Sequence, residues 1–324
     1  MQKLLVDTTK PVQGGLHKDK QAEKTALGWM GWSVEMPEHW RPFKFEGGWT
    51  KGTVQISNGE QVTARIKWER LSRVRFSPEK WIARMLRKET GTREHDENAP
   101  VPSGFGFTGW IREHTTKTGT HGVWCGYGQK AGIVIQVLFI SDDDTIINAV
   151  TEMIGSLRAS VPGESFPLAV LGSKFNGPAG FRLSSWQLNL GDITVGLTSD
   201  SRQFLALRQV YPASLALSRR TLERWIKRPL YSRYRRFKPE GEVRQYETAV
   251  QGRRLKGLAV YGHKNLPSPL NRFRRLASMS AGVHDTKLDR LFLAACDMPG
   301  SLDEELMRRA FNKMDCAIKN RKTV

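Results

Sequence analysis

The sequence predicts an α+β fold: two tandem copies of an antiparallel-sheet sandwich, each in the order β-β-β-α-β-β-β-α and related by internal duplication. Three observations carry this expectation. First, Glu79-Lys80-Trp81-Ile82-Ala83-Arg84 returns about 144 positions later as Glu223-Arg224-Trp225-Ile226-Lys227-Arg228. Second, the strand-like run Gly52–Ser57 has a counterpart in Asp192–Thr198 at a similar offset, as Trp40 has in Trp186. Third, each half alternates period-two runs with stretches of helical period. A period this long is that of a domain and not of a solenoid, whose units run to roughly 50 residues.

The elements of the first half follow in order. Residues 1–28 contain Lys10-Pro11 and Gly14-Gly15 without a hydrophobic period, which predicts a flexible leader. Trp32–Pro37 alternates and is stopped by proline. A turn-rich stretch with Gly47-Gly48 comes next. Thr53–Ile56 and Val62–Trp68 flank Asn58-Gly59, the strongest short-range hairpin signal, because both residues tolerate positive φ. Ser77-Pro78-Glu79 starts a helix: a capping hydroxyl, a proline suited to the first turn and an acid at the positive dipole end. Trp81, Ile82 and Met85 give it an apolar stripe through about residue 89. After a polar loop, strands are expected at Phe107–His114, Gly122–Gly128 and Gly132–Ile140. A closing helix spans Asp144–Arg158 behind three aspartates.

The second half repeats the order. Strands are expected at Leu183–Leu190, Ile193–Thr198 and Phe204–Tyr211, a helix at Ser218–Arg228, a hairpin from Val243–Val250 and Leu255–Tyr261, a strand at Leu288–Ala295 and a closing helix at Ser301–Lys319, capped by Ser301. Residues of about 265–285 have no counterpart in the first half and read as an insertion. The domain limits that result are a leader at 1–28, a Trp-rich near-neutral domain at 29–160, a linker at 161–178 and a basic domain at 179–324.

This element order, with the opening Met36-Pro37-Glu38-His39-Trp40, resembles the PsbP-like sandwich fold, shared by the oxygen-evolving P subunit of photosystem II and the Mog family of Ran-binding proteins. In the second half Ser184-Ser185-Trp186 stands where that motif would fall. The resemblance implies a binding or assembly subunit and no catalysis.

Composition bounds the function. The 324 residues carry a formal net charge of +19, unevenly spread. Residues 1–162 hold 22 Lys+Arg against 18 Asp+Glu, and the remainder 29 against 14, so the excess is local to the second half. Three cysteines, none in a C-x-x-C pair, suggest free thiols in a reducing compartment. The N-terminal stretch lacks the apolar core of a signal peptide, and the longest apolar run, Ile133–Ile140, is too short to span a bilayer. A cytoplasmic location without membrane association is expected.

The strongest chemical signal is the run Arg219–Lys238. Arg219, Arg220, Arg233, Arg235 and Arg236 alternate there with Trp225, Tyr231, Tyr234 and Phe237, and Arg253, Arg254, Arg272, Arg274 and Arg275 extend it. Guanidinium groups pair with phosphate and aromatic faces stack on unpaired bases, which is the chemistry of a single-stranded nucleic-acid groove. A solvated helix face with its aromatics turned inward is the bland reading of the same residues. His121 and Cys125 share one face of a strand, but nothing orients them as a nucleophile pair, and a buried small thiol is the commoner outcome. The histidines lack ligand spacing, and Gly104-Phe105-Gly106 lacks the third glycine of a dinucleotide fingerprint. The expectation is a non-enzymatic binding protein without cofactor or metal, a subunit of a larger assembly. Its basic second domain contacts nucleic acid or an acidic protein. The alternative is a protein–protein scaffold with no nucleic-acid role.

Overall fold

The computed structural model describes residues 23–71, 77–90, 99–116, 119–140, 143–227, 237–265 and 275–316. Their strands form three sheets, antiparallel throughout. The N-terminal sheet contains β3 (Arg41–Gly47), β4 (Lys51–Ser57), β5 (Val62–Arg70), β6 (Phe107–Thr116), β7 (Gly119–Gly128) and β8 (Ile133–Ile140), in the order β3-β4-β5-β8-β7-β6. The C-terminal sheet contains β12 (Phe181–Asn189), β13 (Asp192–Ser199), β14 (Phe204–Val210), β15 (Phe237–Val250), β16 (Arg253–Asn265), β17 (Arg275–Asp285) and β18 (Arg290–Pro299), in the order β12-β13-β14-β18-β17-β16-β15. A shared sheet takes strands from both halves: β1 (Lys24–Trp29), β2 (Trp32–Pro37), β9 (Arg158–Ala159), β10 (Phe166–Val170), β11 (Ser173–Gly177) and β19 (Asp315–Cys316), in the order β19-β11-β10-β1-β2-β9.

Five helices complete the described residues: α1 (Pro78–Thr90), α2 (Asp144–Gly155), α3 (Ala213–Arg219), α4 (Leu222–Lys227) and α5 (Glu304–Asn312). Helix α1 lies over β6 and β7, and α4 over β16 and β17. Helix α2 contacts β2 and β8, and α5 contacts β11, β15 and β18, so both sit between the shared sheet and an outer one. One inner core runs through all three sheets, from Leu27 and Trp29 to Phe311 and Met314. Smaller apolar clusters lie under α1 and under α3–α4 on the outward faces of the N- and C-terminal sheets.

These findings correct the expected fold class. The molecule is mainly antiparallel sheet in a β-rich sandwich of three sheets, and a tandem α+β unit of order β-β-β-α-β-β-β-α does not describe it. The reasons are local. Lys24–Gly28, expected in the leader, forms with Trp29 a strand of the shared sheet, and Leu27 and Trp29 are fully buried. The linker 161–178 holds the β10–β11 hairpin, and the turn-rich stretch after Trp40 is β3. The insertion of about 265–285 contains β17, paired on both sides. The closing helix ends at Asn312, and Asp315–Cys316 joins β11 as β19. Its cap is Asp303, whose carboxylate accepts from Leu306 N at 2.9 Å, and not Ser301. Trp40 precedes β3 whereas Trp186 lies inside β12, so they do not occupy equivalent places.

Other local expectations match. The β4–β5 hairpin turns at Asn58-Gly59, where Asn58 Oδ1 accepts from the backbone of Glu60 and Gln61 at 3.0 Å. Asp143 caps α2 by accepting from Thr145 N at 2.8 Å. Trp29 and Trp40 are core residues.

Candidate anion-binding face

The pleat of the C-terminal sheet decides which basic residues meet. Successive side chains of a strand point to opposite faces. Along β16, Ala259 belongs to the inner core and Val260 to the outer cluster under α3–α4. Arg254 and Lys256 therefore lie on the outer face, and Arg253 on the inner one. Arg253 Nη2 meets Asp285 Oδ2 at 2.5 Å, as an ion pair and not as an aligned hydrogen bond, and Asp285 is 2% exposed. Arg253 is thus committed to the structure and leaves the expected site. Arg254 is exposed on the outer face.

Helices α3 and α4 cover this outer face. One helix, Ser218–Arg228, was expected here; α4 lies within those limits, and α3 starts before them at Ala213. The chain breaks at Arg220, whose φ of −162° and ψ of 126° are extended. Thr221 then caps α4, accepting from Arg224 N at 3.4 Å. The helix sits close because Gly282 of β17 lies beneath it. A Cβ there would meet Ile226 and Leu222 at 3.0 Å and Leu293 at 2.6 Å.

Trp225 of α4 is half-buried against the outer cluster. The Arg208 guanidinium lies 4.8 Å and the Arg220 guanidinium 5.4 Å from its ring centre. Both contacts are cation–π attractions. Arg208 is also held by Asp192: Nε donates to Oδ1 at 2.7 Å and Nη2 to Oδ2 at 2.5 Å. This fork-to-fork pair neutralises Arg208 and fixes its plane. Sequence reading missed it; alternation in β13 and β14 was the available signal, since it puts both residues on one face.

Of the expected site residues, Arg219, Arg220 and Arg254 lie exposed or half-exposed on or beside the outer face. Arg224 and Lys227 of α4 are exposed there too; Lys227 donates to Glu223 at 2.6 Å. Arg233, Arg235, Arg236, Arg272 and Arg274 lie outside the described residues, and Arg275 begins β17.

The other chemical candidate was His121 with Cys125. Cys125 lies beneath α1 and is fully buried. Burial pushes its thiol far above the ordinary value; Glu89 adds to the shift and Lys67 partly offsets it. The thiol stays protonated near neutrality, which a nucleophile cannot afford. No group of three or more His, Cys, Asp or Glu among the described residues could hold a metal ion, and no described helix is long and apolar enough to cross a membrane.

Comparison with known proteins adds little. No protein-family model matches the chain, and no curated protein matches it. Among solved structures, a crystal structure from Bacteroides thetaiotaomicron VPI-5482 is similar over 48% of this chain and 53% of its own, at 14% identity and a TM-score of 0.29. The match thus spans about half of that protein and is too distant to carry an argument about fold or function.

Proposed function

We propose that this chain is a non-enzymatic binding protein that holds a nucleic acid on the outer face of its C-terminal sheet. The observation that carries the reading is the gathering of Arg219, Arg220, Arg224, Lys227 and Arg254 on the side where Trp225 lies. The local charge excess of the C-terminal half agrees with it. Exposed guanidinium groups supply phosphate contacts, and Arg220 stacked on an indole offers a flat, positively charged surface to a base or a sugar. The basic residues of 228–238 adjoin α4 in sequence and extend the same chemistry.

Binding of fluorescent single- and double-stranded oligonucleotides at two salt concentrations tests the reading. A variant with Arg219, Arg220, Arg224 and Arg254 changed to Ser is the comparison. The expected result is an affinity that falls steeply with salt, because phosphate contacts release counterions, and that the variant loses. No binding at low salt would sink the nucleic-acid reading and reassign the face to an acidic protein.

A further inference from the structure

Helix α1 covers only part of the outer face of the N-terminal sheet. It packs on β6 and β7 and leaves β4 and β5 facing outward. A groove of about 460 Å³ runs between the helix and these strands. That volume lies in the range of small-molecule sites, roughly 300–1,000 Å³. Its helix wall is Trp81, Arg84, Met85 and Lys88, spaced so that all four share one face of α1. Its floor is mixed: Thr53 and Lys67 from the open strands, Val134 and Gln136 from β8.

The charges in the groove are not balanced. Glu89 is held by Lys67 at 3.3 Å, and Gln136 donates to the same oxygen at 3.4 Å. Lys51 and Glu69 stand directly opposite each other across β4 and β5, and opposite charges so placed attract. Glu46, on the rim, pairs with Lys44 at 3.0 Å. Arg84 and Lys88 are exposed and form no ion pair with a carboxylate among the described residues. Two cations one helical turn apart therefore flank a half-buried indole and a thioether. An anionic head would satisfy the two cations; Trp81 and Met85 also pack on the cluster under α1, and a flat apolar body would extend that contact on their groove side.

The geometry points to a binding site for a small organic anion with a flat body, of nucleoside-monophosphate size. Arg84 and Lys88 hold its acidic group, and Trp81 and Met85 its ring. This site lies on the N-terminal sheet and does not rest on the nucleic-acid reading of the C-terminal one.

Isothermal titration calorimetry of the full chain with adenosine 5′-monophosphate tests it. Adenosine and inorganic phosphate probe the body and the head separately. The comparison variants are R84Q/K88Q, whose exposed positions tolerate the change, and R219S/R220S on the other sheet; thermal melting checks that both fold. The expected result is saturable one-to-one binding, weaker for either half-ligand, reduced about tenfold or more in R84Q/K88Q and unchanged in R219S/R220S. The proposal is overturned by no saturable binding up to roughly millimolar ligand, by adenosine binding as tightly as its monophosphate, or by equal affinity in R84Q/K88Q. Loss in R219S/R220S alone would also overturn it, by moving the anion to the C-terminal face.

Discussion

Burial governs the described thiols. Cys296 lies in β18 on the inner face, and desolvation raises its thiol from 9.0 to about 12, with the Asp297 charge adding to the shift. Cys125 shifts in the same direction, again mainly through burial. In the unfolded chain these thiols lose their protons above about pH 9, while in the folded chain they keep them. The unfolded state then binds fewer protons, so stability is full below that pH and falls as pH rises toward the folded values. For one fully buried thiol the slope approaches about 1.4 kcal/mol per pH unit. Urea melts between pH 8 and 10.5 should show this loss, and Cys296→Ala should shrink it. In a C316S variant, a thiol reagent at pH 8 should leave Cys125 and Cys296 unmodified until denaturant is added; rapid labelling of that native variant would contradict their burial. Single residues also explain which turns escaped the sequence reading. The β1–β2 and β10–β11 hairpins turn through Met30-Gly31 and Leu171-Gly172, both residues of each pair at positive φ, as does the expected β15–β16 hairpin through Gln251-Gly252. Such two-residue turns favour Asn or Asp first. Asn58-Gly59 announced itself, whereas Met30 and Leu171 did not, because such residues rarely occupy the left-handed region.

Among elements, α4 links the fold to the proposed function most directly. It carries Trp225, Arg224 and Lys227, and its seat on β17 depends on the missing side chain of Gly282. Gly282→Val should force Ile226 and Leu222 outward. Overpacking of this kind costs typically about 1–3 kcal/mol. The expected outcome is a lower melting temperature together with weaker oligonucleotide binding, because the displaced helix carries the cations with it. A variant that melts lower yet binds as before would detach α4 from the site. The long periodic elements were legible: α1, α2 and the strands from β4 to β8 match the sequence reading closely. Short elements were not. The strands β9 and β19 have two residues each and no period to detect. The composition of the candidate face was legible in its arginines, but its geometry was not. Arg253 and Arg254 are neighbours in sequence, and one pleat sends them to opposite sides, the first to Asp285 and the second to solvent.

For the whole molecule, the shared sheet is decisive. Strand β1 from the N-terminal half pairs with β10 from the C-terminal half, Gly28 opposite Ala169. A Cβ on Gly28 would meet the Pro167 carbonyl oxygen at 2.9 Å, so the two strands approach as closely as glycine allows. Side chains cross the same boundary in both directions. Trp29 of β1 meets Trp186 of the C-terminal sheet edge-on, with ring centres 5.3 Å apart. Phe166 of β10 meets Trp49 beside the N-terminal sheet at 5.0 Å. Arg70 pins the N-terminal sheet to the β1–β2 turn, donating to the Met30 carbonyl at 3.0 Å while stacking over Trp49; burial lowers its guanidinium to about 10. A chain cut within 161–165 should therefore not yield two independent folding units. Each fragment would expose Trp29 or Phe166 and a bare strand edge, which favours aggregation. Heating the intact chain should give one cooperative transition, and the two fragments, insoluble when made apart, should become soluble when co-expressed. A fragment of residues 1–162 that is soluble alone and melts sharply would show that the N-terminal half closes its own core, and the interlocking of the two halves through the shared sheet would then be dispensable.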